Sequence, residues 1–471
     1  MRVIRSLVTL VLTPFLAANL TAAVLYVDVS STNPVVPYIN WSTAATNIQD
    51  AIDAARVGDL VLVTNGFYAA GGRAQTGNLA SNRVVVDKPI TVQSVLGPAG
   101  TFIAGASGIR CAYLASNAVL SGFTLTSGNL SELGASTEYS GGAVFCETSA
   151  IVRNCVLTNN AAIQGGGAYS GTLSNCTLSG NFADEGGGTS GSRLYNCYLN
   201  RNSSSFVGGG VWNSILYNCV VTGSSVVWEP KGAEGGAAGT STLYNCTVVG
   251  NGVIHSVISS VLYNCIIGGN AYSYDNASVL NYCCTFPMPT NGVGNITNPA
   301  LLDGNLRLQS NSACINAGKN IYATTDTDLD GNPRIVGGAV DIGAYEFQNP
   351  RSVISYAWLQ NYALPIDGSA DAADPDQDGM NNWQEWIAGT DPTNAASVLK
   401  LLPLSNSPSG VAVSWQSVPD RAYSVFRSTS LPAFSPLATN IQGQTNSTSF
   451  LDTNGVGAGP FFYRIGVQSG P

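Results

Sequence analysis

The residues of this chain best suited to chemistry lie in one short acidic run, Asp374-Pro-Asp-Gln-Asp-Gly-Met-Asn-Asn-Trp-Gln-Glu385. Asp374, Asp376 and Asp378 place carboxylates at positions 1, 3 and 5, and Gly379 allows a sharp turn at position 6. Met380 offers a backbone carbonyl at position 7, Asn382 stands at position 9, and Glu385 closes the run with a carboxylate able to bind through both oxygens. Hard oxygen donors at this spacing suit Ca2+ and leave little room for a transition metal. Asp367, Asp371 and Asp391 are near enough in sequence to extend the site. Asp326-Thr-Asp-Leu-Asp-Gly begins in the same way, but its twelfth position is Gly337, so a hydrogen-bonded turn is favoured there, with a second calcium as the alternative.

A second set of candidates lies in a repeated region. Gly-Gly phrases begin at Gly141, Gly165, Gly186, Gly208 and Gly235, and the segments before them vary: 129–139, 182–185, 203–207 and 224–234. They are expected to be loops on one side of a rigid scaffold, where binding concentrates. Asp184, Glu185, Trp228, Glu229, Lys231 and Glu234 would share that face. Phe145, Tyr169 and Trp212 follow the Gly-Gly phrases at equivalent positions and, with Trp228, would make an aromatic strip for stacking on sugar rings. Lys231 could serve as a lyase base. Glu229 with Glu234, or Asp184 with Glu185, could be drafted as the carboxylate pair of a hydrolase. A solvated polar loop accounts for each of these residues more simply. The one histidine, His255, makes imidazole-based catalysis improbable.

What positions these residues is a repeat. Asn154-Cys155, Asn175-Cys176, Asn196-Cys197, Asn218-Cys219, Asn245-Cys246 and Asn264-Cys265 recur at spacings of 21, 21, 22, 27 and 19, each between short β-prone runs. A unit this short cannot bury an apolar face alone, but stacked units can, so the expected fold is an all-β parallel β-helix of about ten to twelve coils. Each Asn would take a left-handed turn and stack as a ladder between coils. The cysteines beneath would be buried apolar free thiols, because in-register neighbours point the same way. Cys111, Cys146, Cys283, Cys284 and Cys314 fall outside that ladder. Tyr195, Tyr217, Tyr244 and Tyr263 would stack outside it.

Composition agrees. Of 471 residues only 10% are charged, 53 are glycine, and the net charge is −9. The acidic balance argues against a nucleic-acid partner. Arg2 and Arg5 before the apolar run Leu7–Ala18, with small residues at Thr21-Ala22-Ala23, read as a secretory signal over 1–23 rather than a membrane span. A secreted or cell-surface, monomeric protein is expected.

The Gly-Gly-Gly and Leu-x-Asn-Cys phrases resemble secreted bacterial right-handed parallel β-helix proteins of the pectin-lyase-like superfamily, which implies a right-handed coil, and also the repeats of polymorphic outer-membrane proteins. Polysaccharide lyases on this fold use an Arg or Lys base, but no Asp-Asp, Arg-x-Lys or His-Gly phrase typical of polygalacturonase-like enzymes occurs in the repeats. Leu306–Gly318, Asp328–Ile335 and Val340–Phe347 resemble the choice-of-anchor Q domain, which implies surface display. The acidic run meets the EF-hand loop pattern and resembles dockerin and thrombospondin type 3 repeats. Val411-Ala-Val-Ser-Trp, Tyr423-Ser-Val-Phe-Arg and Phe461–Val467 alternate at period two and resemble a fibronectin type III-like module. The expected division is a cap and β-helix at 24–300, its choice-of-anchor-like end at 301–349, a calcium module at 350–395 and a β-sandwich at 396–471. The favoured function is non-catalytic binding of polysaccharide or surface glycan. A polysaccharide lyase or glycosidase, and a self-associating adhesin, remain the alternatives.

Overall fold

The structure, a computed structural model, describes residues 22–74, 80–131, 137–227, 235–252, 255–269, 272–456 and 459–468. Of the expected signal segment 1–23, residues 1–21 therefore lie outside the described residues, and Ala22 and Ala23 lie within them.

Residues 24–285 form a right-handed parallel β-helix. Sheet I has eleven parallel strands, from Val24–Val27 to Val279–Asn281, and sheet II has ten, from Gly66–Tyr68 to Cys284–Thr285. Sheet III also has ten, from Arg73–Ala74 to Tyr272–Tyr274, parallel except for its antiparallel first pair. At roughly 4.8 Å per coil the rod is about 50 Å long. In-register pairing lines up like residues. Leu120, Val152, Leu173, Leu194, Leu216, Leu243, Leu262 and Leu280 form one buried column in sheet I. Each buried leucine contributes about 1.5–3 kcal/mol of transfer free energy.

The segments expected to be variable loops are in part a fourth sheet. Ala161–Gln164, Phe182–Glu185, Ser203–Val207 and Ser225–Val226 pair in parallel as sheet IV. Their polar sequences hide this because parallel pairing uses backbone groups, and only Ala162, Ala183, Ser204 and Val226 face inward and are buried.

Three corners of the coil carry internal ladders. Between sheets I and II, the backbone N–H groups of Cys197, Cys219, Cys246 and Cys265 each donate to the sulfur of the next coil's cysteine at 3.4 Å. The last acceptor is Cys283, so this residue belongs to the ladder and does not fall outside it. The thiols are thus hydrogen-bonding groups as well as apolar filler, and all eleven cysteines are free and buried. Between sheets II and IV runs Asn160–Asn181–Asn202, fully interior. Between sheets III and I, Ser192, Ser214, Ser241 and Ser260 each donate a backbone N–H to the next serine hydroxyl.

The six Asn residues of the Asn-Cys phrase all have φ between 50° and 54°. Glycine is required where coils approach most closely: a Cβ on Gly187 would stand 2.1 Å from the Ser203 carbonyl oxygen. Helix α1 (Ile48–Ala54), capped by Asn47, buries Ile48, Ala51 and Ile52 over the first coil, as its apolar spacing predicts.

Residues 301–349 do not stack as further coils. They fold back along the flank, where Asn218 donates to Thr325 and to the Thr327 carbonyl, Asn245 to the Tyr322 carbonyl and Asn264 to the Lys319 carbonyl. Tyr322 closes the stacked row Tyr195–Tyr217–Tyr244–Tyr263 at 4.3 Å from Tyr263. Helices α2 (Tyr356–Asn361) and α3 (Asn382–Ala388) follow. The last module is a sandwich of two three-stranded antiparallel sheets around Trp415, Val413, Tyr423 and Val425.

Candidate functional site

Sheet III carries the aromatic row. Phe145 and Tyr169 are half-buried and alternate with the interior residues Val144 and Ala168, so they face outward. Their rings stack at 5.2 Å, and Tyr113 extends the row at 5.7 Å from Phe145. Tyr113 was not among the expected residues because no Gly-Gly phrase precedes it. Its signal was the Ala112-Tyr113 pair, which matches Ala168-Tyr169 in register with Val144-Phe145. Trp212 does not join the stack: Ser190 separates it from Tyr169, and its ring lies over Gly239 of the next coil. Trp228, Glu229, Lys231 and Glu234 lie outside the described residues.

The row is buttressed from within. Arg110 is fully buried and donates to the carbonyls of Glu138, Ser140 and Gly141 and to Asn82, with its guanidinium 5.2 Å from the Phe145 ring. Burial lowers its pKa to about 10, so it stays charged at neutral pH. Glu147 accepts from the Tyr113 hydroxyl at 2.6 Å and from Ser116, which hold its carboxyl below the usual range. Asp184 and Glu185 are consecutive residues of sheet IV, and Glu185 accepts from the Gln164 amide at 2.8 Å. His255 packs against Tyr272 with ring centroids 5.5 Å apart.

The acidic run folds as a turn ahead of α3. Carboxylate oxygens of Asp374, Asp376 and Asp378 lie within 4.8 Å of one another. Gly379, at φ 95°, turns its N–H onto Asp374 at 3.1 Å, and the Met380 N–H donates to Asp378 at 2.7 Å. One oxygen each of Asp374, Asp376, Asp378, Asn382 and Glu385 is buried without a hydrogen-bond partner. Glu385 stands outside the 4.8 Å cluster but is fully buried. Burial, then the charges of Asp376 and Asp378, raise its carboxyl to about 7. Carboxylates crowded together with orphaned oxygens are a donor set suited to a hard divalent cation. The proposed extensions are engaged elsewhere: Asp371 accepts from Ser352 and Val353, Asp367 from Ser369 and Asp391 from Thr393. In the related segment, Asp330 pairs with Arg307 while Asp328 accepts from Asp330, Asn332 and Glu346. That is the hydrogen-bonded turn expected from the missing closing Glu.

No family model matches the chain, and no curated protein matches it in sequence. Among solved structures it is similar to a pectin methylesterase in complex with hexasaccharide VII (14% identity, 58% of this chain and 93% of that one, TM-score 0.33). It is also similar to a rhamnogalacturonan lyase (13%, 67% and 95%, TM-score 0.32) and to a PL6 family alginate lyase (13%, 55% and 53%, TM-score 0.22).

Proposed function

We propose that this is an exported bacterial β-helix protein that binds polysaccharide or cell-surface glycan without cleaving it, acting as a monomer, with Ca2+ held in the 374–385 loop. The observation that carries the reading is the outward, stacked pair Phe145–Tyr169 on a rigid sheet. Apolar faces of sugar rings pack on such platforms, and a rigid platform loses little entropy on binding. Catalysis is disfavoured by the engagement of two of the nearby carboxylates among the described residues. Glu147 is tied to Tyr113 and Ser116, and Glu185 to Gln164, so neither is poised as a base.

Calcium is supported by the orphaned oxygens of the loop. Asp374, Asp376, Asp378 and Glu385, with Asn382 and the Met380 carbonyl, would hold it, and the ion would supply charge neutralisation that fixes α3. The test is retention of residues 24–471 on a panel of acidic and neutral polysaccharides, with unsaturated products and new reducing ends assayed together. Retention without products is expected. Turnover on any polymer would overturn the non-catalytic reading.

A further inference from the structure

The outer face of one sheet of the C-terminal sandwich carries an arginine prepared for a ligand. Strand Ala422–Ser428 is central, with Ser435–Gln442 and Phe462–Gln468 antiparallel on either side. Tyr423 and Val425 enter the sandwich core, and Tyr463, Ile465 and Val467 pack against it, so the alternate residues Phe426 and Arg464 point outward. They are direct cross-strand partners. The Arg464 guanidinium lies over two rings, 4.8 Å from the centre of Phe426 and 5.0 Å from the centre of Phe434, the residue that leads into strand Ser435–Gln442. Both rings are half-buried, whereas Arg464 is exposed.

Contacts with ring faces hold the guanidinium but use none of its in-plane N–H donors. Among the described residues the Arg464 side chain makes no hydrogen bond and no ion pair. The other arginines of the module are committed. Arg427 donates to the two oxygens of Asp452 at 3.1 and 2.8 Å, and Arg421 donates to the carbonyls of Ile387 and Trp386. The three strands contain no acidic residue. Asp452 is buried and also accepts from the Tyr463 hydroxyl at 2.8 Å, and Asp420 stands beyond the far end of the central strand. Residues 396–471 carry four basic side chains and two acidic ones, a net charge of +2 in a chain of −9. An anion approaching this face therefore meets a charge that no side chain of the face neutralises.

A guanidinium with its ring contacts made and its edge free fits a carboxylate through two parallel N–H···O bonds. Little further ordering of the side chain is needed on binding, because Phe426 and Phe434 already hold it. A pyranose ring bearing that carboxylate would pack its C–H face on the exposed part of Phe434. We propose that this sheet face binds the carboxylate of a uronate residue in an acidic polysaccharide, through the Arg464 guanidinium held over Phe426 and Phe434. The proposal rests on the polysaccharide-binding reading and deepens it: it names the sugar class and gives the C-terminal module a site separate from the sheet III row.

Calorimetric titration of the whole chain with short oligogalacturonates, and in parallel with neutral maltooligosaccharides, tests it. Arg464→Gln is expected to weaken oligogalacturonate binding about 10- to 100-fold, the loss typical of a hydrogen bond to a charged group. Arg464→Lys keeps the charge but loses the planar pair of donors, and is expected to weaken it about tenfold. Lys400, whose carbonyl accepts from the Gln416 N–H of the other sheet, gives the control. Lys400→Gln removes one positive charge from the same module and is expected to leave the affinity within about twofold of the unmodified chain. Unchanged oligogalacturonate affinity in Arg464→Gln, or an equal loss in Lys400→Gln, would overturn the sheet-face site while leaving the polysaccharide reading intact. Binding of neutral saccharide alone by the unmodified chain would do the same. No binding of any acidic or neutral saccharide would overturn both.

Discussion

The side-chain amide of Asn181 donates to Oδ1 of Asn202, one coil further on, at 2.9 Å, and the Asn181 backbone N–H donates to the same oxygen at 3.1 Å. Asn160 makes the same two bonds to Asn181. Asn181→Ala therefore orphans the Asn160 N–H and leaves Asn202 Oδ1 with one donor fewer, all in a dry interior. A loss of about 2–4 kcal/mol is expected in urea unfolding, since each unsatisfied buried group costs about 1–3 kcal/mol. A change within about 0.5 kcal/mol, the range of ordinary surface substitutions, would mean the ladder does not hold the corner.

The cysteine ladder makes a chemical prediction. Burial pushes the Cys111 thiol up to about 12 and those of Cys155 and Cys176 up as well, whereas at Cys219 and Cys265 burial is outweighed by hydrogen bonds from neighbouring cysteines, which lower them; what shields all of them from reagent is burial in the core. The folded chain is expected to be inert to a thiol reagent, and all eleven thiols to titrate once denatured. A denatured count that rises only after a reductant is added would show disulfides that this geometry does not contain.

The repeat and its corner turns were legible in the sequence because a β-helix writes its third dimension as a period. The Asn-Cys phrase gave the left-handed corner, and twelve contiguous residues gave the acidic loop. Sheet IV was not legible: Phe182–Glu185 and Ser203–Val207 lack apolar alternation, and their pairing is made by backbone groups alone. The Asn160–Asn181–Asn202 ladder was hidden for a related reason, since Asn159-Asn160, Gly180-Asn181 and Arg201-Asn202 each read as a surface turn. The meeting of Tyr282, Lys319, Trp358 and Arg421 around one cleft was beyond reach, because they come together only through tertiary packing.

Calcium removal should act locally. Helix α3 carries Glu385 and buries Trp386 against Ile354 and Leu359, so its dock depends on the charge of the loop being neutralised. Chelation is expected to speed hydrogen exchange and proteolysis within 367–395 while the β-helix stays protected, and Asp376→Asn to mimic it. Equal protease sensitivity with and without chelator would remove the ion from the account.

Alkaline pH should loosen the flank segment 316–347. Burial, opposed by hydrogen bonds from Phe347 and Asn316 and by the charge of Arg334, leaves the Asp341 carboxyl at about 7. Burial and then the charge of Asp341, against the pull of Arg334, take Glu346 to about 9. Asp328, whose Oδ2 accepts from the Glu346 N–H, adds a third carboxylate to the one buried guanidinium. The folded chain thus holds protons that the unfolded chain releases above about pH 4.5. Because the native state binds more protons, stability is greatest below that value and falls as pH rises through 7 towards 9. Hydrogen exchange in 316–347 is expected to show protection reduced by about 1–3 kcal/mol between pH 6 and pH 9, after correction for intrinsic rates, against a ceiling of about 1.4 kcal/mol per pH unit for each group. Glu346→Gln keeps an acceptor for the N–H groups of Val336 and Asp341 but cannot ionise, so it should flatten much of that slope. A variant with the same slope as the unmodified chain would place the titrating group elsewhere.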